Sequence, residues 1–386
     1  MNRIKAFYFC YFGAAAALMP FLVLYYEQIG LSGRQIAVLA ALPPLINLFA
    51  AALWSGLADA LNQHNRLQAA AIVGAIGMAL LVSLLHGFGP LVGAVALWAI
   101  FMAPIMPLAD NAALNLLQGR KHLYGKLRLW GAVGWGVMAP AAGILVERFG
   151  LTWTFYAYAI ILGAGLMAVR GLPLASAQMG TPFWRGLRSF ARNRAWLFFL
   201  SAIFIAGVGS GVINSYLFLY MQTLGASKTL MGIALTVATG SELVVFATSD
   251  RLLRGLGVRW LLVLAFGAVI VRLFAYAVIS QPALVLPVQL LHGLTFSAMW
   301  VAGVAYADRI APAGLGATAQ GQFAGVSMGL SSAAGAFMGG FLFESLGLRT
   351  TFGFMAGAII LAYLALGGVL LIYQYWTGKL APVSEH

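Results

Sequence analysis

Long apolar runs, separated by short polar breaks, recur along the whole chain. Each is close to the roughly 20 residues that a helix needs to cross the hydrocarbon core of a bilayer. The pattern predicts spans at 6–26, 36–57, 67–86, 91–118, 127–147, 151–170, 196–221, 229–253, 259–279, 283–308, 314–344 and 349–375. In lipid a helix satisfies every backbone donor and acceptor internally. The expected fold is therefore an all-α membrane protein of about 12 transmembrane helices. The start, MNRIK before an apolar run, has the charge pattern of a signal peptide. The run continues to Tyr26, further than a signal's apolar region extends, and so reads as the first span.

Composition agrees with this pattern. Hydrophobic residues make up 62% of the 386 and charged residues 8%, where a soluble chain carries about a quarter charged. A net charge of +13 would suggest nucleic acid in a soluble protein, but here the basic residues lie between the spans. With the N-terminus in the cytoplasm, 17 of the 22 Lys and Arg fall on cytoplasmic segments. Arg34, Arg148, Lys228 and Arg349 fall outside, and Arg272 lies within a span. That asymmetry predicts an inner-membrane protein with both termini cytoplasmic and no nucleic-acid partner. The single cysteine, Cys10, excludes an internal disulfide and offers no metal cluster. No metal or other cofactor is expected, and a monomer is compatible with the sequence.

The two halves repeat. Ala109-Asp110 matches Ala307-Asp308, and GILVE (143–147) matches GFLFE (340–344). Thr154-Phe155 matches Thr351-Phe352, and FLVLYYEQIGLS (21–32) matches YLFLYMQTLGAS (216–227). The offset stays between 195 and 198. Such duplication predicts two six-helix bundles, with the solute path at their interface. The expected division is 1–170, a cytoplasmic linker at 171–195 containing RGLRSFARNR, a second bundle at 196–378, and a tail at 379–386.

In this organisation the chain resembles the major facilitator superfamily of transporters. That family carries an Asp and a short basic loop after the second helix, matched here by Gly56-Leu-Ala-Asp59 with Arg66. The second half offers Ser249-Asp250-Arg251 with Arg254. The resemblance implies gating roles for Asp59, Arg66, Asp250 and Arg254. Asn62, Gln63, His64 and Asn65 depart from the family's glycine and basic residues.

An ionisable side chain at the bilayer centre costs about 2.5–3.5 kcal/mol on insertion scales, so it normally faces the bundle interior and marks function. The candidates are Asp110, Arg128, Glu242, Arg272 and His292, read as an Asp110–Arg128 pair and a Glu242–Arg272 pair. Trp135 lies two helical turns after Arg128 and shares its face. These spacings resemble the oligosaccharide–proton symporters of the lactose permease type. The resemblance implies substrate binding by Asp110, Arg128, Trp135 and His292, and proton coupling through Glu242, Arg272, His292 and Asp110. Where that family has a carboxylate one turn after the histidine, this chain has Thr295. PIMPLAD (104–110), YGKLRLWG (124–131), SELVVFATSDRL (241–252) and LHGLTF (291–296) also resemble the 3-phenylpropionate permease group.

The expected function is thus proton-coupled uptake of a small solute, an aromatic acid or a sugar-like compound. A proton-driven exporter is the alternative, supported by APAAG (139–143), a partial match to a drug-antiporter motif. A membrane enzyme is not expected: His292 and Asp308 lie about 24 Å apart along one helix. Gln320, Ser327 and Ser331 form a polar stripe that suggests a cavity lining.

Overall fold

The computed structural model describes residues 1–61, 63–117, 124–169, 190, 192–312 and 315–377. Its helices are α1 (Asn2–Gln28), α2 (Gly33–Leu61), α3 (His64–Val82), α4 (Phe88–Leu116), α5 (Tyr124–Phe149) and α6 (Trp153–Val169). They are followed by α7 (Arg194–Thr223) and a 51-residue stretch, Lys228–Val278, that is broken at Gly257. Gly257 has φ 72° and ψ 164°, outside the helical region, so the stretch is two helices, α8 (228–256) and α9 (258–278). The last three are α10 (Pro282–Ile310), α11 (Thr318–Leu346) and α12 (Leu348–Thr377). Among the described residues ten stretches are long and apolar enough to span a membrane, and α6 is a shorter apolar helix. Dividing the 51-residue stretch brings the number to twelve, the expected architecture of a multi-pass membrane protein. Observed boundaries differ from the expected ones by a few residues; α3, for example, begins at His64 rather than 67.

Within the first half α1 packs on α5 and α6, and α4 on α2 and α3; in the second half α7 packs on α11 and α12. The halves meet along two seams, α5 against α8 and α2 against α11. The sequence repeat is visible in the bonding. Tyr25, ending α1, donates to the Ser83 carbonyl beyond α3 at 3.0 Å. Tyr220, at an offset of 195, donates to the Ile279 carbonyl beyond α9 at 2.9 Å. Phe155 packs edge-on against Tyr25, and Phe352 edge-on against Tyr220, with centroids 4.8 and 5.1 Å apart. Gly30 and Gly225 take left-handed φ values of 83° and 79° at the turns into α2 and α8, a conformation glycine adopts without steric cost. Ser32 and Ser227 then cap those helices, accepting from the backbone N–H of Gln35 and Leu230.

The regular ladder is interrupted in α4 at Ala103-Pro104, and in α10 by a turn at 290–291 and a π-turn at Leu294–Ala298. A second π-turn, Gly325–Leu330, lies in α11. π-turns inside helices are frequently found at functional positions, and the one in α10 begins two residues after His292.

Candidate functional site

The second-half cluster is built on α8, α9 and α10. Arg272 of α9 is only 1% exposed. Its guanidinium is a rigid fork of donors without an acceptor, and its surroundings supply acceptors. Nη2 donates to Gln289 Oε1 at 2.7 Å, and Nη1 to Thr295 Oγ1 at 2.8 Å and His292 Nδ1 at 3.0 Å. Tyr276, one turn on in α9, donates to the same Gln289 oxygen at 3.1 Å. His292 Nε2 lies 2.8 Å from Glu242 Oε1. Glu242 and Arg272 therefore do not pair directly, as the sequence reading had them; the imidazole stands between them. The α8–α10 contact that sets this geometry is the backbone N–H of Gly293 donating to Ser241 Oγ at 2.9 Å.

One hydrogen-bond direction follows. Arginine only donates, so His292 Nδ1 accepts, and the neutral ring carries its proton on Nε2, aimed at Glu242. One turn beyond this pair is an aromatic wall. Phe296 stacks parallel to His292, 6.0 Å between centroids and 9° between planes, and meets Phe246 of α8 edge-on at 6.3 Å. Trp300 continues the row at 6.3 Å from Phe296. Phe246 is 38% exposed, so the wall is open on one side.

The first-half cluster joins α1, α4 and α5. Tyr8 donates to Asp110 Oδ1 at 2.6 Å, and the Tyr124 hydroxyl lies near that carboxylate. Arg128 is not ion-paired to Asp110 as expected. Its guanidinium sits over the rings of Phe12 and Tyr8, 4.1 and 5.5 Å from their centroids, within electrostatic reach of the carboxylate. The carboxylate is satisfied by a phenol donor and the guanidinium by π faces. Trp135, two turns along α5, is half-buried.

The remaining candidates are scattered. Asp250 pairs with Arg254 four residues along the same exposed helix face, not with a neighbouring helix. Arg66 is exposed near the start of α3, and the side chain of Asp59 lies outside the described residues. Ser327 and Ser331 are buried, and Ser331 bonds back to the Ser327 carbonyl at 2.8 Å, so this part of the polar stripe is packed rather than cavity-lining. Among the described residues no group of three or more His, Cys, Asp or Glu is placed to hold a metal. The sequence reading missed Tyr8, Gln289 and Tyr276. Tyr276 and Gln289 could have been found by asking which polar side chains reach an arginine buried one turn or one helix away.

Residues 1–354 match the model of the MFS_1 like family. The chain is 30% identical to the maltose permease of Geobacillus stearothermophilus, over 93% of this chain and 92% of that one. It is 26% identical to the probable 3-phenylpropionic acid transporter of Escherichia coli (strain K12), over 88% and 90%. A crystal structure of the nucleoside transporter NupG superposes with TM-score 0.81 at 16% identity, covering 96% of this chain and 98% of that one. At that identity the superposition speaks to the fold alone.

Proposed function

The chain belongs to the MFS_1 like family and is a membrane transporter, not an enzyme; from that premise we propose that it takes up a small organic solute by proton-coupled alternating access. Its basic residues favour the cytoplasmic side for both termini and for the 171–195 segment.

The observation that carries the coupling is the Arg272–His292–Glu242 chain. An added proton cannot sit on Nδ1 of His292, which Arg272 occupies, so Glu242 is the group able to take it. A neutral Glu242 no longer attracts the imidazole N–H as an anion does, and the balance between the two states of the bundle shifts. Thr295 has no titratable proton in this range, and it serves as a fixed acceptor for Arg272. Asp110, held by the Tyr8 hydroxyl, is read as a substrate ligand together with Arg128 and Trp135.

The solute class follows from the same surfaces. Arg128 offers a cation for a carboxylate, while Phe246, Phe296 and Trp135 offer ring faces. An aromatic acid meets both requirements, in keeping with one relative named for 3-phenylpropionic acid. A sugar such as maltose, named for the other relative, would use Asp110 and Trp135 but not the aromatic wall. Uptake of labelled 3-phenylpropionate and of maltose into proteoliposomes, with and without an inward proton gradient, tests the reading. Gradient-driven accumulation of the acid supports it, whereas accumulation of neither, or accumulation indifferent to the gradient, counts against it.

A further inference from the structure

Among the described residues, most hydrogen bonds that join the two halves lie at the end of the bundle remote from Asn2, with the Thr236 hydroxyl donating to the Gly136 carbonyl at 2.7 Å deeper in one seam. On one seam Glu344, near the end of α11, accepts from the backbone N–H of Arg34 at 2.6 Å, and Arg34 Nε lies 3.4 Å from the same carboxylate. On the other, Glu147, near the end of α5, accepts from the backbone N–H of Thr229 at 3.1 Å and faces the Thr229 hydroxyl at 3.4 Å. The two glutamates are 197 residues apart, and the two N–H donors 195, so both contacts are one repeated contact. Arg34 and Thr229 are the second residues of α2 and α8, where backbone N–H groups have no partner in their own helix. An anion there is also favoured by the helix dipole.

Close backbone approach accompanies both contacts. A Cβ on Gly143, one turn before Glu147, would fall 2.9 Å from the Lys228 carbonyl carbon. A Cβ on Gly340, one turn before Glu344, would fall 2.8 Å from Ala37 Cα. A third tie crosses between α1 and α7: Lys228 Nζ donates to Gln222, whose Nε2 donates to Glu27 Oε2 at 3.3 Å.

We infer that Glu147 and Glu344 are a symmetric pair of latches, each capping the first turn of a helix in the opposite half, and that together they hold this mouth of the transporter closed. The inference rests on the alternating-access reading, but not on which ion drives it or which solute is carried. Opening this mouth must break both caps, and closing must remake them. They thereby position the halves in one state and weigh nothing in the other. A charge at a helix start contributes enough to move a two-state balance about two- to fivefold, so loss of both moves it about four- to twenty-five-fold.

The test places a cysteine at Ala37, which is buried beside Gly340 on the closed seam, in a Cys10→Ser background. A membrane-impermeant maleimide is added from outside to right-side-out cells, with no substrate and no imposed proton gradient. Glu344→Gln and Glu147→Gln are each expected to speed alkylation of position 37 by about two- to fivefold, and the double variant more than either. Arg148→Gln, an exposed neighbour outside both caps, is expected to leave the rate unchanged. Size-exclusion profiles and melting temperatures identify variants that merely unfold; for those, Glu→Asp replacements take their place, with the shorter arm expected to weaken the cap. A folded double variant with the parent's rate overturns the latch, as does an Arg148→Gln increase equal to the glutamate variants'. Because no transport is read, failure of proton coupling would leave this result intact.

Discussion

The His292 ring meets the Glu242 carboxylate at 2.8 Å with its other nitrogen already occupied by Arg272. This fixes the tautomer of a histidine inside a membrane protein; in the proposed coupling, the carboxylate is the group that changes its charge. The predictions below follow from this arrangement and from its counterpart in the first half.

Removing the guanidinium by Arg272→Ala would leave the acceptors on His292 and Thr295 without their donor, and Gln289 Oε1 with Tyr276 alone. Each buried polar group left unsatisfied costs roughly 1–3 kcal/mol, so a clear fall in melting temperature in detergent is expected along with loss of accumulation. Arg272→Lys should recover part of the stability, because a single ammonium reaches some of these acceptors but not all in one geometry. An unchanged melting temperature in Arg272→Ala would show that the network is not a structural element of the second half.

Tyr8→Phe removes one donor from Asp110 with little change in shape. A hydrogen bond to a charged group contributes about 1.5–3 kcal/mol. If Asp110 receives substrate in the geometry that Tyr8 sets, apparent affinity in exchange assays should fall about tenfold or more. Equal affinity in the variant and the parent would remove Tyr8 from the binding site.

Ring surfaces can be weighed in the same assay. Trp135→Phe should retain much of the affinity and Trp135→Ala should lose it, since a stacked ring contributes roughly 1–3 kcal/mol. Phe296→Leu should weaken an aromatic acid more than a sugar. Were all three variants to bind as the parent does, these rings would be packing elements only.

The break between α8 and α9 gives a stability prediction. Gly257 holds φ 72° and ψ 164°, a region essentially reserved for glycine, where a side chain costs roughly 1–3 kcal/mol. Gly257→Ala is therefore expected to lower the melting temperature, while Gly255→Ala, inside the regular part of the helix, should not. Equal melting temperatures would mean that the hinge tolerates a Cβ.

Much of this was legible in the sequence. Twelve apolar runs and the 195–198 offset carry the architecture, because span length and duplication are one-dimensional properties. The same offset relates Tyr25 to Tyr220 and Phe155 to Phe352, and their contacts repeat in space. Asp110, Arg128, Glu242, Arg272 and His292 stood out because charges are rare in spans. Their partners did not. Opposite charges on neighbouring helices suggested direct ion pairs, yet a tyrosine took the place beside Asp110 and a histidine the place between Arg272 and Glu242. Which face of a helix meets its neighbour depends on breaks such as the π-turn at 294–298, and a regular 3.6-residue period does not register them.

The most direct test of the coupling account compares Glu242→Gln with Asp110→Asn in proteoliposomes, measuring equilibrium exchange of labelled substrate and accumulation driven by an imposed proton gradient. Glu242→Gln fixes the second-half site in a neutral form, so exchange should survive while gradient-driven accumulation disappears. Asp110→Asn should weaken exchange and accumulation together. Full gradient-driven accumulation by Glu242→Gln would contradict the central claim, and exchange kept by Asp110→Asn but lost in Glu242→Gln would reverse the two assignments.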